Sequence, residues 1–413
     1  MKKVLFASVA LIAMGTVAQA AEPVKLSIGG YATQWAGYAS NSDSAAYGTG
    51  TGPMGSYGTT TSGSAANKRT GFDVQDDVLI SFTGATKLDN GIGVSVEIDT
   101  NGTQGLNSHD NTAGNRNVKK SFVAVSSAFG TVEVGEQDNV GALIHNSSPD
   151  VGGIGGQDGN WMNWVIAPNN FNETAQRTYA GDDRSANKII LISPTWQGLT
   201  AGFSYTPEIN VQQTGNTAIP GSADYNSAGI AGDLYVYGLA YANTFGDVSV
   251  KADVGSGNGN VANLHVYQGG LNVSYKGFTL GGSVLKRDID TNKDGHISGE
   301  STAVGAPISG AYLAGVAKVG TLWDAGLSYV TGPYGVSLTY FHGEAAHATG
   351  GLTSASSYSY DTDHALTLAG AYDLGPGVKL TESIFVVDYS GATGLAADKN
   401  SGWGAVTGIG VTF

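Results

Sequence analysis

The stretch whose residue types and spacing best suit ligand chemistry is Asp290-Thr291-Asn292-Lys293-Asp294-Gly295-His296. Asp290, Asn292 and Asp294 offer side-chain oxygens at alternate positions. Gly295 permits a sharp turn, and His296 presents a backbone carbonyl, as in the first half of an EF-hand-type calcium loop. The twelfth position holds Ser301 where a bidentate Glu belongs, and Glu300 falls one residue early. The expected ligand is therefore Ca²⁺ bound weakly; the competing reading is a polar turn with solvated acids. Calorimetry should show calcium uptake lost in Asp290→Ala with Asp294→Ala, and heats equal to wild type would remove the site. Nucleophilic chemistry has less to work with. The chain has no Cys, and among its seven His the pair His109-Asp110 could orient a nucleophilic Ser. A Gly-x-Ser-x-Gly elbow that would give such a pair a nucleophile is absent, so no catalytic residue is assigned and the chain is read as a non-enzyme.

The scaffold that must hold these residues is bounded by composition. Gly accounts for 63 of 413 residues, roughly twice the usual ~7%. Charged residues are 13%, about half the ordinary ~25%, while Tyr numbers 20. Disorder needs more charge and fewer aromatics, and this much Gly is costly inside helices. A formal charge of -14 argues against nucleic acid, whose phosphates demand a basic face. An all-β chain or an unusual repeat remains.

The first twenty residues read as a secretory signal peptide. Lys2-Lys3 begins it, an apolar stretch runs from Val4 to Val17, and Ala18-Gln19-Ala20 supplies the small-x-small cleavage pattern. Its removal leaves 21–413, more acidic by two charges. The uncharged stretch that comes nearest to a spanning candidate lies between Glu300 and Lys318 and carries Gly305, Pro307, Gly310 and Gly315. That is too short and too broken for a spanning helix.

Period-2 patterning carries the fold. Val94, Val96 and Ile98 alternate with Ser95, Glu97 and Asp99; Val248, Val250, Ala252 and Val254 alternate with Ser249, Lys251 and Asp253. The same pattern returns at Leu199–Tyr205, Trp323–Tyr329, Tyr334–Tyr340 and Trp403–Phe413. Each segment thus has one apolar face and one small or polar face. Soluble sandwiches alternate too. Here, however, the apolar parity carries Tyr, Trp and Phe near segment ends, as interfacial girdles do. The opposite parity is Gly, Ser, Thr and charge, which suits a wet lumen and not a dry core. Short links (Leu88–Gly91, Ser126–Gly130, Pro194–Gly198, Asn243–Gly246, Lys276-Gly277, Thr331–Pro333, Gly375–Gly377) alternate strictly with long ones near 40–76, 100–118, 138–186, 206–233, 256–263, 287–309, 342–362 and 390–400. Counting segments between links gives sixteen. The expectation is an all-β, sixteen-stranded antiparallel transmembrane barrel in lipid, with short turns at one end and long external loops at the other.

Four stretches then carry a family likeness: Ser121–Gln137, Asn187–Tyr205, Ala369–Leu380, and the last strand closing on Phe413. In this order, across most of the chain, they resemble the Gram-negative general porins. The resemblance implies a homotrimer in the outer membrane and a third external loop, 138–183, folded into the pore. It also implies passive diffusion of small hydrophilic solutes, with Phe413 read by the outer-membrane assembly machinery. Substrate-specific channels share this barrel and differ at the constriction, and a barrel hydrolase or an adhesin is the remoter alternative.

What such a pore selects follows from its charges. The family usually opposes an acidic loop with a wall of Arg; this chain has five Arg in all, and Glu136 stands where an Arg commonly follows Gly135. By parity Glu97, Asp99 and Glu133 face the lumen. Asp150 and Asp158 lie in the presumed constriction loop, with Trp161 and Trp164 placed to narrow it. Arg177 and Arg184 are either a remnant of the basic wall or loop-end charges. Rings of carboxylates attract cations, so the pore is expected to prefer cations weakly.

Overall fold

The computed structural model describes residues 23–42, 71–102, 118–157, 159–168, 177–180, 186–208, 232–259, 264–289, 320–347, 359–391 and 399–413. The expected signal peptide, most of the calcium-type loop and its ligands Asp290, Asn292, Asp294, His296 and Glu300, and the site residues Asp158 and Arg184 lie outside the described residues.

Sixteen strands form one closed antiparallel barrel in which each strand pairs with its sequence neighbours and the last pairs with the first. They are β1 (Lys25–Asn41), β2 (Gly71–Lys87), β3 (Gly93–Asn101), β4 (Val118–Ser127), β5 (Gly130–Glu136) and β6 (Asn187–Ile192). Next come β7 (Leu199–Glu208), β8 (Gly232–Phe245), β9 (Val248–Gly259), β10 (Leu264–Tyr275) and β11 (Phe278–Ile289). The set closes with β12 (Gly320–Thr331), β13 (Tyr334–His347), β14 (Ser359–Gly375), β15 (Val378–Ser390) and β16 (Lys399–Thr412).

Alternation sets the two faces. On β9 Val254 is 59% exposed while Asp253 is 3% exposed; on β12 Leu327 is 48% exposed and Ser328 5%. Apolar side chains therefore point out along the barrel wall and polar ones point in, which suits a wall with lipid outside and water inside. At one end the links are tight. Lys276 (φ 45°) and Gly277 (φ 88°) both take positive φ, the pattern of a primed two-residue hairpin turn that matches the strand twist. Hydroxyl pairs pin the strands beside such turns: Ser126 with Thr131 at 3.0 Å, Thr244 with Ser249 at 2.9 Å, and Ser274 with Thr279 at 2.8 Å. The seam closes through paired backbone bonds, Gly30 N–H to Phe413 O at 3.0 Å and Phe413 N–H to Gly30 O at 3.1 Å.

Two expectations need correction. Strands continue beyond the anticipated loop boundaries: β2 begins at Gly71, β13 runs to His347 and β14 begins at Ser359. There both faces carry polar residues such as Gln75, Asp76 and Asp77, so alternation fades while the backbone ladder continues. The inner face is also not uniformly wet. Val236, Val266, Leu285, Leu322, Phe341 and Phe385 point inward and are buried in one apolar cluster. They occupy the half of the barrel where a chain segment covers them.

Candidate pore constriction

That segment is the link between β5 and β6. It starts with a short helix, α1 (Val140–Ile144), whose N-cap Asn139 accepts a hydrogen bond from Ala142 N–H at 3.2 Å. From there it travels around the inside of the wall, and the wall side chains supply its hydrogen bonds. Ser204 on β7 accepts from Val140 N–H at 3.3 Å, and Gln268 on β10 donates to Gly141 O at 2.8 Å. Asp253 on β9 accepts from Asn146 N–H at 2.6 Å, and Asp324 on β12 accepts from Ser148 N–H at 3.0 Å. Ser337 on β13 accepts from Val151 N–H at 3.1 Å. Further along, Tyr389 on β15 donates to Val165 O at 3.0 Å, Asn400 on β16 to Ile166 O at 2.6 Å and Asn41 on β1 to Trp164 O at 3.2 Å. Gln75 on β2 donates to Asn163 O at 2.9 Å. A buried irregular backbone must find partners for its polar groups, and the inward parity of these strands provides them.

One anchor is a relay of side chains. His145 Nδ1 meets Asp253 Oδ2 at 3.2 Å, both side chains having no solvent exposure. His145 Nε2 meets Thr178 Oγ1 at 3.0 Å, Thr178 meets Ser283 Oγ at 2.7 Å, and Ser283 donates to Asp324 at 2.8 Å. An Asp-His-hydroxyl order is that of a catalytic triad, but Thr178 is fully buried and no reactant reaches it. Here the relay fastens two parts of the loop to β9, β11 and β12.

Acidic residues of the inward parity gather on the arc β2–β5. Asp99 accepts from Ser81 Oγ, and Asp77 accepts from Tyr31 Oη at 3.1 Å. Glu133 accepts from Gln137 at 3.4 Å. Glu97 is half-buried and interacts electrostatically with Asp99, Lys120 and Glu133. Lys120 Nζ sits 2.7 Å from Asp138 at the loop's root. Around the Lys120 ammonium lie the carboxylates of Glu97, Asp99, Glu133 and Asp138, with Asp77 joined to the group through Tyr31, and on β6 the buried Lys188 Nζ donates to Gln137 O beside them.

Other expected site residues are placed differently. Glu136 pairs with Ser121 and shares the parity of Val132 and Val134, which are exposed on the outer face. Asp150 lies in the loop, but its carboxylate accepts from Gly152, Gly153 and Gly155 N–H at 3.1, 2.8 and 3.0 Å and from Ser337 Oγ at 3.2 Å. It shapes the glycine-rich turn. Trp161 and Trp164 are buried in the apolar cluster, Trp161 with its ring 5.3 Å from that of Phe341. They cement the loop to the wall instead of lining the water path. Arg177 directly precedes Thr178 in the loop. Sequence reading missed Tyr31, Asp77, Lys120 and Asp138. The parity of Phe122 and Ala124 was the signal available for Lys120.

A family model described as Gram-negative porin matches residues 7–392. The chain belongs to the Gram-negative porin family. Solved structures agree on the fold. An anion-selective porin from Comamonas acidovorans superposes with TM-score 0.54 at 18% identity, over 95% of this porin and 100% of the other chain. A loop-deleted form of OmpT, an outer membrane protein of Vibrio cholerae, gives 0.52 at 10% identity over 95% and 100%. The outer membrane channel DcaP of Acinetobacter baumannii gives 0.52 at 9% identity over 94% and 97%. At such identities the likeness concerns fold alone. No curated protein matches the chain. Family and barrel together make this porin an outer-membrane channel rather than an enzyme.

Proposed function

We propose that this porin passes small hydrophilic solutes and ions by passive diffusion, with a weak preference for cations. The observation that supports it is the excess of carboxylates on and beside the arc β2–β5, where Asp77, Glu97, Asp99, Glu133 and Asp138 outnumber the neighbouring ammoniums of Lys120 and Lys188. Fixed negative charge beside a water path raises the local cation concentration and lowers that of anions. Exposed charges are screened beyond about 8–10 Å, so the preference is modest. A trimer of such pores, a cleaved leader over residues 1–20 and recognition of Phe413 by the assembly machinery complete the reading, and these are supported by the family resemblance and the residue patterns.

Solute flux tests it. In swelling of liposomes carrying the porin, an amino sugar should enter faster than a neutral sugar of similar size, and a sugar acid more slowly. Equal rates for all three would remove the charge preference. Entry of a single sugar alone would turn the porin into a substrate-specific channel.

A further inference from the structure

The outer face of β13 and β14 carries a histidine pair that the channel does not use. His342 and His364 are directly opposite in the antiparallel register. They share the outward parity of Leu338, Leu366 and Leu368, all exposed. Their Nδ1 atoms are 3.3 Å apart, with ring centroids 4.6 Å apart. Tyr340 Oη sits 2.7 Å from the same His364 Nδ1. Asp388 on β15 is opposite His364. Glu344, two residues along the same face, interacts electrostatically with His342. Trp323 flanks the group, its ring 5.2 Å from Tyr340 and 5.8 Å from His342.

We propose that His342 and His364 form a two-imidazole site for a borderline divalent transition-metal ion, Zn²⁺ or Ni²⁺, on the outer face of the barrel. The separation is the first reason. Metal–nitrogen bonds of about 2.0–2.1 Å in a tetrahedron put two ligand nitrogens about 3.3 Å apart, the distance the strands already impose. The second reason is the crowding of one nitrogen. A neutral imidazole Nδ1 is either donor or acceptor, and His364 Nδ1 faces both a phenol and a second imidazole nitrogen, while a cation accepts both lone pairs at once. The third is electrostatic and positional. Asp388 and Glu344 lend negative charge, and the Trp323–Tyr340 pair is the kind of aromatic group that marks the membrane–water boundary, where aqueous ions reach. Among the described residues no three His, Cys, Asp or Glu converge on one point. The two imidazoles therefore carry the site, and Tyr340, a swung Asp388 or water completes it. Imidazole favours Zn, Ni and Cu over Ca or Mg, which separates this site from the calcium-type loop.

The test is isothermal titration of the refolded, full-length barrel in detergent micelles with ZnCl₂ and with NiCl₂. One ion per chain is expected at this site. His342→Ala and His364→Ala should each weaken it by at least about tenfold, whereas His265→Ala, with its lone outer-face histidine bonded to Asn258, should leave it unchanged. Zn²⁺ should raise the melting temperature of wild type and not of the double variant. Heat-modifiable gel mobility reports folding; if the alanine variants fail to fold, His342→Asn and His364→Asn serve the same comparison. Zinc uptake that persists with both histidines replaced, or no uptake by folded wild type, overturns the proposal.

Discussion

Asp253→Ala is expected to release the constriction loop while leaving the barrel closed. The carboxylate accepts from Asn146 N–H at 2.6 Å, Asn146 Nδ2 at 3.0 Å, His145 at 3.2 Å and Gln268 at 3.4 Å, all inside the barrel. Each buried donor left without a partner costs about 1–3 kcal/mol, and this one carboxylate serves several of them. The strand ladder is indifferent to the change, because Asp253 pairs with Gly270 and Ala240 through its backbone. The expected result is a folded barrel whose single-channel current is larger and noisier than wild type. An unchanged, quiet current would mean that the His145–Asp253 relay does not hold the loop in place.

The second large effect concerns charge. Glu97→Gln, Asp99→Asn and Glu133→Gln together should lower the K⁺/Cl⁻ permeability ratio several-fold. A unit charge about 8 Å from an ion contributes roughly 0.5 kcal/mol through water, with opposite sign for K⁺ and Cl⁻. Salt trims each term but leaves three of them. These three side chains belong to the inward parity, whereas Glu136→Gln should change the ratio little, because Glu136 shares the outward parity of Val132 and Val134. Lys120→Gln should move the ratio the other way. A ratio that does not respond to the triple replacement would place the selectivity outside the arc β2–β5.

Much of the barrel was legible because its physics is local. On β3, β9, β12 and β13 each residue is lipid-facing or inward-facing by position alone, so Val96 and Asp99 or Val254 and Asp253 announce their sides. The tight turns are equally local. What could not be read arises where the fold brings distant segments together. Leu285 and Phe341 are inward residues whose apolar character makes sense only once the loop covers them. Trp161 and Trp164 look like pore-narrowing aromatics in sequence. The loop's carbonyls must reach Asn41, Tyr389 and Asn400 on the wall, and that seating carries the indoles into the apolar cluster. Asp150 looked like a free constriction charge, but the glycines following it offer three amides within five residues. Lys120 and Asp138 are joined by a loop root that periodicity does not describe.

The most direct measurement is the zero-current potential of the wild-type porin in a planar bilayer with a KCl gradient. The acidic arc predicts that K⁺ leads Cl⁻ through the pore, so the dilute side becomes positive. A dilute side that becomes negative, or no potential at all, would contradict the account.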